Sequence, residues 1–445
     1  MMIVCEALFL LLMLLILYVL HRFDIMYPSI ILCVVYLICI AFAMYNWDVW
    51  DMGEYSLQAA AITLLGVLCF SLTGLFVEKI MFFGKKTIRD QSVQPGNCLQ
   101  AIQISKPWIV ADMLFTLAAL LWFFLEVRRI AGASSGWTEM LVRYRAKASY
   151  DVLSPEDQMP FLLRQMTKLV MVQGFFFGTV LVNNIVARGF QRSDAWLLFP
   201  IFGTALQTLL NAARLDILKL AACILVASYI LWHRKKGWNR NLSRRFIKIG
   251  FFSLVGMLVG FYLLKGAAGR KTDFDPMYYI SLYVGGSIKL FDMFIQSPPA
   301  PSTIWGKESF YLVNQFLSKF GKEDLAYIRH LEFRFCNGIN VGNFYTALRR
   351  YYSDFGIAGV VILTTILSLI VHWLYCKVKY SRSRKLDFGV VAFSYLFCIV
   401  PMFPIDDIFF SSYLSTSYAV NFLLLYLLYF TFVKRKFRIK LKVHK

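Results

Sequence analysis

The sequence predicts an all-α polytopic membrane protein, and three observations lead there. Of 445 residues, 59% are hydrophobic and 16% charged, and the mean hydropathy is +0.60. A soluble domain is about 25% charged and 45–50% apolar. Apolar runs recur along the chain, and about 20 such residues suffice to cross a bilayer as a helix. Lys and Arg collect in short segments beside these runs, which is how membrane proteins distribute cations. The formal net charge of +21 would suggest nucleic acid in a soluble chain. Its placement beside apolar runs argues against nucleic acid here.

Taken in order, the apolar runs give about 11 transmembrane helices by the length criterion. They lie near 2–20, 28–45, 56–76, 107–126, 161–184, 195–211, 214–232, 247–265, 356–376, 388–404 and 413–433. The first run has no basic segment before it and no small-residue cleavage site, so it reads as a retained span. The sixth and seventh are separated only by Asn211–Ala213, which predicts either a tight hairpin or one span fewer. No Pro/Ser/Gly-rich linker divides the chain and no internal repeat is visible. We therefore expect one integral membrane domain, 1–445. The nine cysteines sit mostly inside apolar runs without metal-ligand spacing and read as packing residues.

Orientation follows from the cations. Arg234, Lys235, Lys236, Arg240, Arg244, Arg245 and Lys248 form one acid-free loop. Lys377, Lys379, Arg382, Arg384 and Lys385, the C-terminal tail from Lys434, and Lys85, Lys86 and Arg89 fall on the same side. That side is expected to be cytoplasmic. The other side receives Asp48, Asp51, Glu54, Asp406 and Asp407. The loop 127–160 falls outside yet carries Arg128, Arg129, Arg143, Arg145 and Lys147, which suits either an anionic partner or a solvated face.

The longest mixed-polarity stretch, 266–355, is then a large external loop before the last three spans. Long polar loops carry function more often than the spans do. Phe310, Val313, Phe316, Leu317 and Phe320 recur at helical spacing and predict a short amphipathic helix at the interface, beside Trp305 and Tyr311. Ser297–Pro301 reads as an extended connector. Thr346, Arg350 and Asp354 share one face of a second helix that leads into the span starting near Gly356.

Charges inside apolar runs are costly and mark candidate sites. Arg164 and Lys168 lie four residues apart on the fifth span, and Arg214 opens the seventh, followed by Asp216 and Lys219. The orientation places Arg164 and Arg214 at the outer leaflet, where a guanidinium matches two phosphate oxygens at once. Snorkelling of Arg164 and a local Arg214–Asp216 pair are the structural alternatives. His330, among Arg329, Glu332 and Arg334, is a candidate general base, with an exposed loop histidine as the alternative. Asp354 is the second candidate base, with an i, i+4 pair to Arg350 as its alternative. No metal-binding, nucleotide-binding or haem motif is present, so no cofactor and no metal are expected.

These residues resemble the Wzy-type O-antigen or capsular oligosaccharide repeat-unit polymerases. The resemblance is carried by NAARLDILKLAACILV, by YYISLYVGGSIKLFDMFI followed by WGKESFYLVNQFL, and by NFYTALRRYYSDFGIAGVVIL. It implies a GT-C-like architecture and metal-independent, inverting glycosyl transfer outside the bacterial cytoplasmic membrane. The implied substrate is an undecaprenyl-diphosphate-linked oligosaccharide, and a chain-length regulator is the implied protein partner. Carried onto this chain, Arg214, Arg164, Lys168, Arg349, Arg350 and Tyr351 would bind diphosphate or glycan, with Asp354 or His330 as base. An O-antigen ligase and a non-enzymatic flippase are the competing readings.

Overall fold

The computed structural model describes residues 1–84, 99–132, 134, 136–150, 157–238, 240–267, 274–327 and 330–434. Among them, nine helices are long and apolar enough to cross a membrane. They are α1 (Met2–Leu20), α2 (Pro28–Tyr45), α3 (Leu57–Phe76, continued by a π-turn to Met81), α4 (Lys106–Ala131), α6 (Phe161–Arg188), α8 (Arg214–Lys236), α9 (Arg240–Ala267), α13 (Ala347–Lys379) and α16 (Thr416–Tyr429, continued to Lys434). The chain is an all-α polytopic membrane protein. Two of the eleven expected spans are shorter than a full crossing. Residues 195–211 form a 3₁₀ turn and α7 (Leu198–Leu210), and 388–404 break into α14 (Phe388–Leu396) and α15 (Ile399–Met402). The basic segment between α4 and α6 contains α5 (Trp137–Tyr150). Its cations pair locally, Arg129 with Glu126, Arg143 with Glu139 and Lys147 with Asp157.

Helix starts follow local chemistry. Pro28 opens α2 with its fixed φ. Ser56, Asp387 and Ser415 cap α3, α14 and α16 by accepting backbone N–H groups of the first turn. The core lies around α6, whose residues from Val172 to Asn184 are all buried. Thr204 of α7 donates to Val170 O (2.6 Å) across it. On the other flank α13 packs on α3, where Ser368 donates to Phe70 O (2.6 Å). Gly74 leaves room there for the His372 ring, because a Cβ would stand 2.5 Å from its Nε2.

One end of the bundle is closed by a buried ion network. Lys379 lies 3.0 Å from Asp24 and 3.1 Å from Glu78. Tyr229 and Tyr375 donate to Asp24, Tyr380 donates to Glu78, and His21 Nδ1 lies 2.6 Å from Glu78. This ties the ends of α1, α3, α8 and α13 together at the end where the basic segments cluster. Such charges are retained in an apolar surround only when paired and hydrogen-bonded.

The segment 266–355 is not one superficial loop. It contains α10 (Pro276–Val284), α11 (Gly286–Gln296), α12 (Tyr311–Ser318) and a hairpin of β1 (Arg334–Cys336) and β2 (Ile339–Gly342). From Gly286 to Asp292, α11 is buried. Gly285 passes so close to α2 that a Cβ would stand 2.5 Å from Ala43 N. Asp292 accepts the Ser56 N–H at the start of α3 (2.8 Å). After Gln296 the chain forms a lid, led by exposed residues 297–303. On α12, Phe316, Leu317 and, just beyond it, Phe320 are exposed, as an interfacial helix requires.

Candidate functional site at the lid end

α13 is interrupted at Gly356, whose φ of 61° and ψ of −152° only glycine adopts at low cost. The break separates a lead-in helix, 347–355, from the span that follows. The residues of the DFG triplet have distinct mechanical roles. Asp354 accepts the backbone N–H of Glu308 (3.1 Å to each oxygen) and of Ser309 (2.7 Å). Phe355 packs against Trp305 (5.3 Å) and Phe310 (6.2 Å) of the lid. Gly356 supplies the break. The triplet therefore fastens the lid to the span.

Beneath this clasp lies a cluster of buried ions. Arg349 is fully buried and bonds Glu332 (2.6 Å) and Glu308 (3.2 Å). Its guanidinium stacks on Tyr345 at 3.8 Å and Phe294 at 4.8 Å. Arg350 turns the other way, to Asp406 (2.8 Å), and donates to Glu308 O (3.2 Å). Tyr351 is buried and donates to Asp407 Oδ1 (3.2 Å). The i, i+4 pair between Arg350 and Asp354 considered from the sequence is thus replaced by a pair 56 residues apart.

Glu308 is the residue that the sequence reading missed. One oxygen accepts from Arg349 and from Ser353 Oγ (3.0 Å). The other is buried and has no hydrogen-bond partner among the described residues. Burial, then the nearby Asp354, raises its pKa, against the opposing pull of Arg349 and Arg350. Glu332 behaves oppositely. Desolvation would raise its pKa, but the bond and charge of Arg349 outweigh this and hold it below the ordinary value. Two carboxylates in one cluster are thereby driven apart, the pattern that separates acid–base roles in active sites. The sequence signal was faint: a single acid among aromatics in WGKESF.

Arg214 is buried at the opening of α8, at the same end of the bundle. It donates to Phe261 O of α9 and to Tyr279 OH of α10, both at 2.8 Å. Its guanidinium lies 4.0 Å from the Phe261 ring and 5.7 Å from those of Tyr279 and Tyr283. The alternative local partner, Asp216, instead pairs with Lys219 (2.9 Å). Tyr283 continues to Phe344 (6.2 Å), the neighbour of the Tyr345 on which Arg349 stacks. Aromatic rings thus run from Arg214 through Tyr279 and Tyr283 to Phe344.

The remaining candidates lie elsewhere. Arg164 is exposed, over the Phe161 ring at 5.9 Å, and Lys168 donates to Gln165 (3.4 Å). Both occupy the first turns of α6 beside α7, where Gln207 donates to Thr167 O. His330 is exposed just before the hairpin. Hairpin formation follows from Asn337-Gly338, both at positive φ (51° and 75°), a two-residue turn that the sequence reading did not use. Among the described residues no group of three or more His, Cys, Asp or Glu is placed to hold a metal ion. Comparison with family models, with characterised proteins and with solved structures finds no match to this chain.

Proposed function

We propose that this protein is a GT-C-like membrane glycosyltransferase. It polymerises undecaprenyl-diphosphate-linked oligosaccharide repeat units into O-antigen or capsular polysaccharide at the outer face of the bacterial cytoplasmic membrane, with a chain-length regulator as partner. The observation that carries this reading is the lid-end site: two buried arginine centres, a run of aromatic rings beside Arg214 and the buried Glu308 carboxylate beside Arg349.

The chemistry fits that arrangement. An acceptor hydroxyl attacks the donor's anomeric carbon. The bond from that carbon to the diphosphate oxygen breaks, and undecaprenyl diphosphate leaves with the electron pair. The hydroxyl proton passes to the Glu308 carboxylate. Arg214 stabilises the leaving diphosphate, since a fixed cation where charge develops contributes most to such a step. Arg349 and Arg350 hold the carboxylate segment, and Asp354 fastens the lid above it. The rings from Tyr279 to Phe344 offer flat apolar surfaces on which sugar rings stack. Glu308 is preferred as base over Asp354, whose oxygens accept lid N–H groups, and over the exposed His330. The ligase reading rests on that histidine and is correspondingly less favoured.

The test is reconstitution of the purified protein in vesicles with lipid-linked repeat units, followed by gel separation of the glycans. A ladder of multiple repeats that disappears in Arg214→Ala is the expected result. Single repeats from the wild-type protein, given a folded sample and an added chain-length regulator, would overturn the reading.

A further inference from the structure

We propose that Glu6, Tyr55 and Thr63 hold an alkali cation where α1, the start of α3 and α11 meet. The site is separate from the lid-end arginines and does not depend on the reaction proposed above.

The sequence sets a carboxyl into an apolar span. α1 turns Ile3, Glu6, Leu10, Met13 and Leu17 inward, and it packs on α2 and α3, so Glu6 lies on the packed face and not toward lipid. It is 1% exposed, and neither carboxyl oxygen has a hydrogen-bond partner among the described residues. A carboxylate in an apolar surround is retained only when its charge is matched. Its neighbours are hydroxyls in the same condition. Tyr55, in the turn before α3, is buried, and its hydroxyl has no partner among the described residues. The same holds for the Thr63 hydroxyl, in the second turn of α3. Burial first, then the charge of Glu6 and that of Asp292, raise the Tyr55 phenol above its ordinary value, and Thr63 opposes them. The phenol therefore faces all three. Glu6 and Tyr55 approach each other without a hydrogen bond of ordinary geometry. Tyr36 of α2, also buried with an unpartnered hydroxyl, is within electrostatic reach of Glu6.

Charge and ligand type select the occupant. Asp292 accepts the Ser56 N–H (2.8 Å), and the Lys289 ammonium, 3.8 Å away, offsets its charge. Glu6 then leaves a single negative charge, which a monovalent cation balances and a divalent one overshoots. Carboxylate and hydroxyl oxygens are the ligands that hard cations take. An ion among these oxygens gives each a partner and matches the charge, whereas water supplies the hydrogen bonds and leaves the charge. The chain leading to Tyr55 exposes Asp48, Asp51 and Glu54, which raise the local concentration of cations. The bound ion fixes α1 to the start of α3, the point on which Asp292 anchors α11.

The test uses the full-length protein in nanodiscs, with sodium or potassium chloride titrated against choline chloride at constant ionic strength. The readouts are the unfolding temperature and the binding of radiolabelled sodium or rubidium. At least one alkali ion should bind and raise the unfolding temperature saturably, and choline should not. Glu6→Gln should abolish that response. As a neutral group that needs no counter-ion, it should unfold in choline no lower than wild type does. Thr63→Val keeps the shape and removes one hydroxyl, and it should weaken binding by about tenfold, the effect of losing one contact to a charged group. Because that hydroxyl has no partner to strand, Thr63→Val carries the test even where Glu6→Gln does not fold. Asp48→Asn, at an exposed acid, should change affinity by less than about twofold. The proposal fails if alkali ions act no better than choline, if Glu6→Gln keeps the response, or if Thr63→Val binds like wild type. It fails also if lowered pH stabilises wild type while alkali ions do nothing, which would make Glu6 a protonated carboxyl only.

Discussion

Replacing Glu308 by Gln keeps the side chain's shape and removes only its capacity to take a proton. The remaining oxygen still accepts from Ser353 (3.0 Å) and Arg349 (3.2 Å), and Arg349 keeps its shorter bond to Glu332 (2.6 Å). The structural cost is one ion pair reduced to a hydrogen bond from a charged donor to a neutral acceptor, about 1 kcal/mol, and it is offset in part because a neutral amide is cheaper to bury. The kinetic cost of losing a general base is about 10²–10⁴-fold, or about 3–5 kcal/mol in the barrier. Rate and stability should therefore separate. The assay pairs initial polymerisation rates in proteoliposomes with thermal unfolding of the same sample. Glu332→Gln is the control, because it removes the charge of Arg349's closest partner without touching the unpartnered oxygen, and it should lower stability more than rate. pH provides a second readout. The raised pKa of Glu308 moves the acid limb of the rate profile above the ordinary carboxylate value, and rate falls as pH drops through it. Stability runs the other way. A carboxyl whose folded pKa exceeds its unfolded one contributes stability at pH below the unfolded value, and this is lost as pH rises through the folded one. Both dependences should vanish in Glu308→Gln. A variant that polymerises within about threefold of wild type would show that this carboxylate only holds Arg349 in place.

Three further outcomes follow from the same geometry. Asp354→Asn replaces an acceptor of lid N–H groups with a group half of which is a donor, so hydrogen exchange at the backbone N–H groups of Glu308 and Ser309 should accelerate by about 10- to 100-fold, at about 1–3 kcal/mol of local stability. Lys379→Met strands Asp24 and Glu78 in an apolar surround and should lower unfolding stability by about 3–5 kcal/mol, with no gain from raised salt. Gly356→Ala forces a side chain into a backbone region reserved for glycine and should cost about 1–3 kcal/mol in thermal unfolding, whereas Gly321→Ala on the exposed lid, also at positive φ, should leave the glycan ladder unchanged.

Much of this was legible in the sequence, and the reason is the bilayer. Spanning helices must satisfy their backbone internally and show lipid an apolar surface, so residues such as Met2–Leu20 and Pro28–Tyr45 announce themselves by length and composition. Arg214 was legible for the complementary reason, that a guanidinium at the start of an apolar run needs partners. What could not be read was which partners. Phe261 O and Tyr279 OH lie 47 and 65 residues away, and nothing local distinguishes them from Asp216, which turned to Lys219 instead. Near 195–211 and 388–404 the helices are shorter or broken, because composition reports apolarity without reporting where a helix stops.

The DFG-containing motif shows the same limit in sharper form. Its spacing places Arg350 and Asp354 on one helical face, and a local ion pair is the economical expectation from sequence. The fold breaks the helix at Gly356 and brings the 306–311 turn over Asp354, so that lid N–H groups take the carboxylate and Arg350 reaches Asp406. The same turn carries Glu308 into the space so enclosed. A carboxylate acquires an unusual proton affinity only once the chain has folded over it, since desolvation belongs to the assembled site and not to any residue. The acid most suited to take a proton here is therefore one whose neighbours in sequence are unremarkable. The motif that drew attention to the region is what holds that acid in position.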